Sequence, residues 1–265
     1  MRIAMTFGAL AAFGLTSPTL AADNADAPIC TDRPTKANAV CTVPAGRWQL
    51  ESSAVSWART ESGDVESKVL TLGSTVVKLG LGEQSDLQVA FTPYVRVESS
   101  SGSLNSTESG AGDVTLRYKH RLTAPDARVQ LALIPFVKLP TADGDIGNGK
   151  VEGGMATSIS TALVAATLTF GPELDLLADS DGEGSHVQLV NLVNIAGPVA
   201  PGLTLAGELW TATNFDPHGT VTQASADAAL AYLVDDELQI DAGANVGLTK
   251  HTPDMEFYLG ISWRF

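Results

Sequence analysis

Positions 255–265 alternate without a break. Met255, Phe257, Leu259, Ile261, Trp263 and Phe265 share one parity, and Glu256, Tyr258, Gly260, Ser262 and Arg264 share the other. A period of two predicts a strand with one apolar and one polar face. Its length matches the ~9–11 residues of a strand that crosses a bilayer. The same rule recurs over 47–59, 67–81, 86–98, 112–122, 128–139, 154–164, 167–179, 186–196, 203–214, 222–234 and 237–249. The sharpest internal case sets Val114, Leu116, Tyr118 and Leu122 against Asp113, Thr115, Arg117, Lys119 and Arg121. The first two segments alternate imperfectly. Segment 154–164 is rich in Ala, Ser and Thr and leaves a short helix open as an alternative. Pro93 interrupts the third segment, which a central strand tolerates only at a bulge.

The connections have a rhythm. Odd-numbered segments are followed by polar loops at 61–66, 99–111, 140–153, 180–185, 216–221 and 250–254. Even-numbered ones mostly end in tight turns, at 123–127, 197–202 and 235–236. Short turns on one side and longer loops on the other are the signature of an all-β, antiparallel transmembrane barrel of about twelve strands. An even strand number puts both termini on the short-turn, periplasmic side. The polar parity then faces the lumen and the apolar parity faces lipid.

The amino-terminus divides from this body. Arg2, the apolar run 3–15 and the small residues Thr19-Leu20-Ala21-Ala22 form a secretory signal peptide, 1–22, cleaved after Ala21 or Ala22. Residues 23–46 have no period and carry Pro28, Pro34 and Pro44, so they read as a periplasmic lead-in to a barrel domain at 47–265. Cys30 and Cys41 lie in this lead-in, where an oxidising periplasm favours a disulfide. A metal pair is the alternative, but no His or second Cys pair sits nearby.

Composition adds two constraints. Thirty acidic residues against sixteen basic ones leave no basic face, which excludes nucleic acid as a partner. Hydrophobic content of 44% with only 17% charge suits a surface that meets lipid.

Five stretches carry a family resemblance. They are Thr31-Asp32-Arg33-Pro34 with Val43-Pro44-Ala45-Gly46-Arg47-Trp48-Gln49-Leu50-Glu51, then Gly112-Asp113-Val114 leading to Arg117-Tyr118-Lys119 with Phe136-Val137-Lys138-Leu139-Pro140-Thr141, and finally Gly260-Ile261-Ser262-Trp263-Arg264-Phe265. They resemble the outer-membrane transporters of the "MetA-pathway of phenol degradation" family, over about 31–265. The Cys30–Cys41 pair and the weak sixth segment depart from that pattern. The resemblance implies an outer-membrane channel for small solutes, with aromatic or hydrophobic compounds as the implied cargo. The terminal Phe265 resembles the signal that outer-membrane assembly machinery reads.

No catalytic, metal or cofactor motif is present, so an enzyme is not expected. His120, His186, His218 and His251 are scattered singly. Asp179-Ser-Asp181-Gly182-Glu183 reads as an acidic hairpin loop, with divalent bridging to lipopolysaccharide as a further reading. The informative chemistry is the sign of the lumen charges. Arg96, Arg117, Lys119, Arg121 and Lys138 come from segments three to five. Glu173, Asp175, Glu208, Asp227, Asp241 and Glu256 come from segments seven to twelve. In a closed barrel these sets lie on opposing walls. Around an open path they would set ion selectivity; in a plugged lumen they would form salt bridges. A closed structural or adhesive barrel working through its outer loops is the alternative function.

Overall fold

Alternation in the sequence becomes twelve staves of one closed antiparallel sheet in the computed structural model, which describes residues 27–265. The expected signal peptide and its cleavage point lie outside the described residues. Nine staves are continuous: β1 (Trp48–Ser62), β2 (Val65–Gly82), β5 (Val129–Leu139), β6 (Glu152–Ala162), β8 (Ser185–Ala200), β9 (Leu203–Asn214), β10 (Val221–Asp235), β11 (Leu238–Gly247) and β12 (Met255–Arg264). Three are interrupted: β3 (Ser85–Phe91 and Tyr94–Ser101), β4 (Leu104–Gly110 and Val114–Arg121) and β7 (Thr167–Phe170 and Glu173–Ala178). Each stave pairs with its sequence neighbours, and β12 returns to β1 with Trp57 opposite Phe257 and Leu50 opposite Trp263. Trp48 and Phe265 exchange both backbone hydrogen bonds, 3.0 and 2.9 Å, at the end of this seam.

The burial pattern is inside-out. Gln49, Lys78, Gln88, Lys119, Gln130 and Ser262 are among the most deeply buried side chains, whereas Leu209, Leu259, Phe257 and Ile240 are exposed. Lipid covers the apolar face, and closure leaves no unpaired sheet edge in hydrocarbon. Trp48, Tyr232 and Trp263 are exposed near the short-turn end, where amphipathic rings suit the membrane interface.

Three local expectations are corrected. Segment 99–111 is not a loop: Val95–Ser101 pairs with Leu104–Gly110 around a turn at Gly102, whose φ of 59° suits glycine. Its residues are polar because the hairpin rises past the apolar belt and needs no lipid-facing side. Segment 154–164 holds a regular strand and no helix; its inward Ala156, Ser158 and Ser160 are small and buried. Arg96 does not face the lumen. Phe91 pairs with Thr75 and Tyr94 with Leu72, so a bulge at Thr92-Pro93 opposes one at Gly73. The bulge reverses parity beyond it. Thr71 and Val95 then point inward, and Arg96, opposite Leu70, points outward and pairs with Glu98 at 2.6 Å.

Leu209 sits near the middle of β9 on the lipid face. Leu209→Arg is expected to destabilise the barrel by about 2–4 kcal/mol, the cost of a cation near the bilayer midplane. Urea titration of the lipid-reconstituted protein checks this.

Candidate functional site

The amino-terminal segment is not a periplasmic lead-in. It enters the barrel, turns and leaves again. Ile29 donates its backbone N–H to Asp236 O at the short-turn end. Thr31 contacts Gln239 on β11, and the turn Arg33-Pro34-Thr35-Lys36 is the innermost point, with Thr35 Oγ1 accepting from Asn194 on β8. On the way out Asn38 O accepts from Ser158, and the Val43 amide donates to Asp86. The Pro44 carbonyl lies where a side chain on residue 80 would stand, so Gly80 is what lets the segment pass. The Cys30–Cys41 disulfide joins the ingoing and outgoing legs, whose Cα atoms are 6.5 Å apart.

The segment is matched to the charges of the two walls. Asp32 faces the basic wall: Lys78 on β2 and Lys119 on β4 each reach its carboxylate at 2.6 Å. Lys78 also pairs with Glu51 at 2.5 Å, and Glu51 accepts the Asp32 amide. Arg117 donates to Asn38 at 2.5 Å. One residue on, the polarity reverses. Arg33 makes a bidentate pair with Asp241 on β11, 2.6 and 3.0 Å, and donates to Ser53. Its guanidinium lies over Gly260, which is opposite Asp241 in the β11–β12 register; any Cβ there would collide with it. Lys36 reaches Asp227 on β10 at 2.5 Å, and the Lys36 and Ala37 amides donate to Glu208 on β9, both at 3.0 Å. These partners are nearly solvent-free: the side chains of Lys78, Asp227 and Asp241 are at most 2% exposed. In that setting removing one member of a pair costs roughly 3–5 kcal/mol, because the other charge stays buried.

The sequence-predicted residues therefore divide. Arg117 and Lys119 do lie across the lumen from Glu208, Asp227 and Asp241, but the amino-terminal segment stands between them. Arg121 sits at the short-turn rim and donates to Thr123 O and Glu83 O. Lys138 is near the outer end of β5, paired with Asp113 at 2.5 Å and Glu152 at 3.2 Å. Asp175 points inward and accepts from Gln188, while Glu173 lines a side cavity of about 280 Å³. Glu256 faces the outer half of the lumen, held by Ser56 and Asn245. Sequence reasoning missed Asp32, Arg33, Lys36, Glu51 and Lys78. The one available signal was the alternation of opposite charges in Asp32-Arg33 and Lys36 within an otherwise periodless stretch.

Beyond the turn at 33–36 the lumen widens into a polar cavity of about 420 Å³, lined by Ser53, Ser56, Thr71, Ser74, Thr92, Asn245, Glu256 and Tyr258. At the outer mouth Asp216 ties two loops together. It accepts the backbone N–H of His218 and of Ser180, and these bonds, His218's first, pull its carboxyl down to about 2. The stabilisation is present above the ordinary carboxylate range and is lost only as pH falls through about 2. Loop order at the mouth, read by limited proteolysis, is therefore expected to persist from pH 7 to pH 4 and to weaken at neutral pH in Asp216→Asn. Among the described residues, no group of three His, Cys, Asp or Glu is arranged to hold a metal ion.

Known proteins place this architecture. No curated protein matches the chain in sequence. Among solved structures, an outer membrane channel of the COG4313 group from Pseudomonas putida F1 superposes with a TM-score of 0.71 at 15% identity, covering 85% of this chain and 98% of that one. The NanC porin superposes at 0.51 and 10% identity, covering 81% and 98%. The translocator domain of the autotransporter NalP from Neisseria meningitidis reaches 0.50 at 14%, covering 83% and 89%. At such identities the likeness concerns the fold, a bacterial outer-membrane β-barrel. The family described as "Putative MetA-pathway of phenol degradation" matches residues 31–265, from the start of the lumen segment to the last residue of the seam, and the chain belongs to that family.

Proposed function

We propose that the protein is an outer-membrane channel for passive passage of small polar solutes, closed at its periplasmic half by residues 29–43 and opened when that segment shifts. The observation that carries this reading is the reversal of charge between Asp32 and Arg33, matched by the basic wall of β2 and β4 and the acidic wall of β9 to β11. A barrel with a permanently filled core would be served by apolar packing, which is often as stable as buried ion pairs. Walls of opposite charge, which water would solvate once the segment leaves, suit a lumen that also exists without its plug. The polar lining of the outer cavity supports hydrophilic cargo rather than the aromatic or hydrophobic compounds that the family resemblance implies. In the same reading the apolar belt meets outer-membrane lipid, and the acidic outer loops meet lipopolysaccharide through divalent cations. The strand ending at Phe265 is what assembly machinery grips.

A second reading has its own support. The pairs around Asp32 are buried enough to hold the lumen shut, which suits a structural barrel that works through its outer loops. Planar-bilayer recording separates the two. Asp32→Asn leaves Lys119 without the Asp32 carboxylate and Lys78 with Glu51 alone, and is expected to raise single-channel conductance several-fold over the native protein. A heat-shifted band on unheated gels confirms that the barrel still folds. Silence from both proteins at all voltages and salts would leave only the structural reading.

The disulfide gives an independent handle. Closing a loop of this length removes roughly 3 kcal/mol of chain entropy from the displaced state in the loop-closure account. Reducing Cys30–Cys41, or Cys30→Ser with Cys41→Ser, is therefore expected to increase the open fraction. Unchanged open probability with and without reductant would show that the segment moves as one stapled unit or not at all.

A further inference from the structure

Glu256 stands apart from the carboxylates of β9 to β11 that the plug engages. Asp241, Asp227 and Glu208 are engaged by Arg33, by Lys36 and by backbone amides. Glu256 accepts one hydrogen bond on each oxygen, from Ser56 Oγ at 3.1 Å and Asn245 Nδ2 at 2.8 Å. Both donors are neutral, and among the described residues no cationic group lies within ion-pair distance of it. Its negative charge is thus oriented but uncompensated. A carboxylate has about four lone-pair sites, so two remain open.

The position of this charge is specific. Glu256 and Asn245 lie at the outer ends of β12 and β11, on the outer side of the 33–36 turn. They line the cavity of about 420 Å³, within the size range that holds small organic ligands. Across it stand the hydroxyls of Thr71, Ser74 and Thr92, which offer acceptors at no net charge. The plug cations that floor the cavity do not compete for Glu256. Arg33 is bound bidentately by Asp241, and Lys36 by Asp227.

We infer that this cavity is a binding site for a small organic cation bearing a primary ammonium group, with Glu256 as its anchoring charge. An ammonium has three donors and no acceptor, so one N–H meets the carboxylate and another the adjoining Ser56 Oγ, while a hydroxyl on the same solute meets the oxygens across the cavity. An anionic solute would face Glu256 with no free cation to offset it. A bare divalent ion is ill-served, since calcium takes six or more oxygen ligands and usually several carboxylates. A neutral polyol would satisfy the hydroxyls and leave the charge unanswered. The inference gives a substrate class to the channel proposed above and rests on it for transport, though not for binding.

The test uses ethanolammonium chloride as the probe, with glycerol and sodium acetate as comparators. Titration calorimetry on the detergent-solubilised, full-length barrel reads binding without requiring an open path. The native protein is expected to bind ethanolammonium and neither comparator. Glu256→Gln keeps the shape and removes the charge, and is expected to weaken binding about tenfold, the scale of one charge-assisted hydrogen bond. Glu173→Gln, which alters a carboxylate lining the neighbouring cavity, is expected to leave binding unchanged. In bilayers with an ethanolammonium chloride gradient, Glu256→Gln is expected to shift the reversal potential towards chloride. No binding by the native protein, or equal binding by Glu256→Gln, overturns the inference. Binding that depends on Glu256 in a protein that never conducts overturns the channel reading and leaves the site standing.

Discussion

Every backbone N–H and C=O within hydrocarbon must find a partner in the protein, because lipid offers none. The seam between β1 and β12 is where this requirement is completed. Register runs from Gln49–Arg264 to Arg59–Met255 with one irregularity beside Ala54, and Trp48 and Phe265 close its end with a reciprocal pair of bonds. Once the sheet closes, each strand has a lipid side and a lumen side. The large apolar residues go outward, and Lys78, Lys119, Gln88 and Asp241 have nowhere to go but in.

Polar groups in a narrow interior must then be hydrated or paired. The amino-terminal segment pairs them. Asp32 satisfies two lysines, Arg33 and Lys36 satisfy two aspartates, and free amides of the turn satisfy Glu208. The wall is shaped to admit this segment. Gly80 and Gly260 leave room for the Pro44 carbonyl and the Arg33 guanidinium, and Ser158 is small enough to let Asn38 approach β6. Charge, glycine placement and small inward residues therefore serve one arrangement. Its outer boundary is a polar cavity whose one uncompensated charge is Glu256.

Much of the barrel was legible because a strand between lipid and water writes its two environments on alternate residues. Leu116 against Arg117 and Leu259 against Tyr258 are enough to give faces, strand number and direction. Legibility failed where that contrast fades. The outer part of the hairpin, 98–110, stands outside hydrocarbon, and apart from Leu104 both of its faces are polar. Strand parity alone puts Arg96 on the wrong face, because a bulge shifts parity without leaving a mark more specific than Pro93. Residues 154–164 looked weak because their inward side chains had to be small.

The candidate site was legible only in half. The sign of each wall could be read from strand parity, since Lys119, Glu208, Asp227 and Asp241 all fall on the polar side of their strands. What occupies the space between those walls could not. Residues 29–43 have no period because they form neither helix nor strand, and a chain without a period carries no record of where it lies. The sequence by itself determined the closed barrel, its inside-out polarity and the opposition of basic and acidic walls, all consequences of local alternation. Only the tertiary structure decided that Asp32, Arg33 and Lys36 enter the lumen to meet those walls, and that Glu256 is left unmatched. Those contacts join residues up to 208 positions apart, and their partners are set by where the closed sheet places its charges in space.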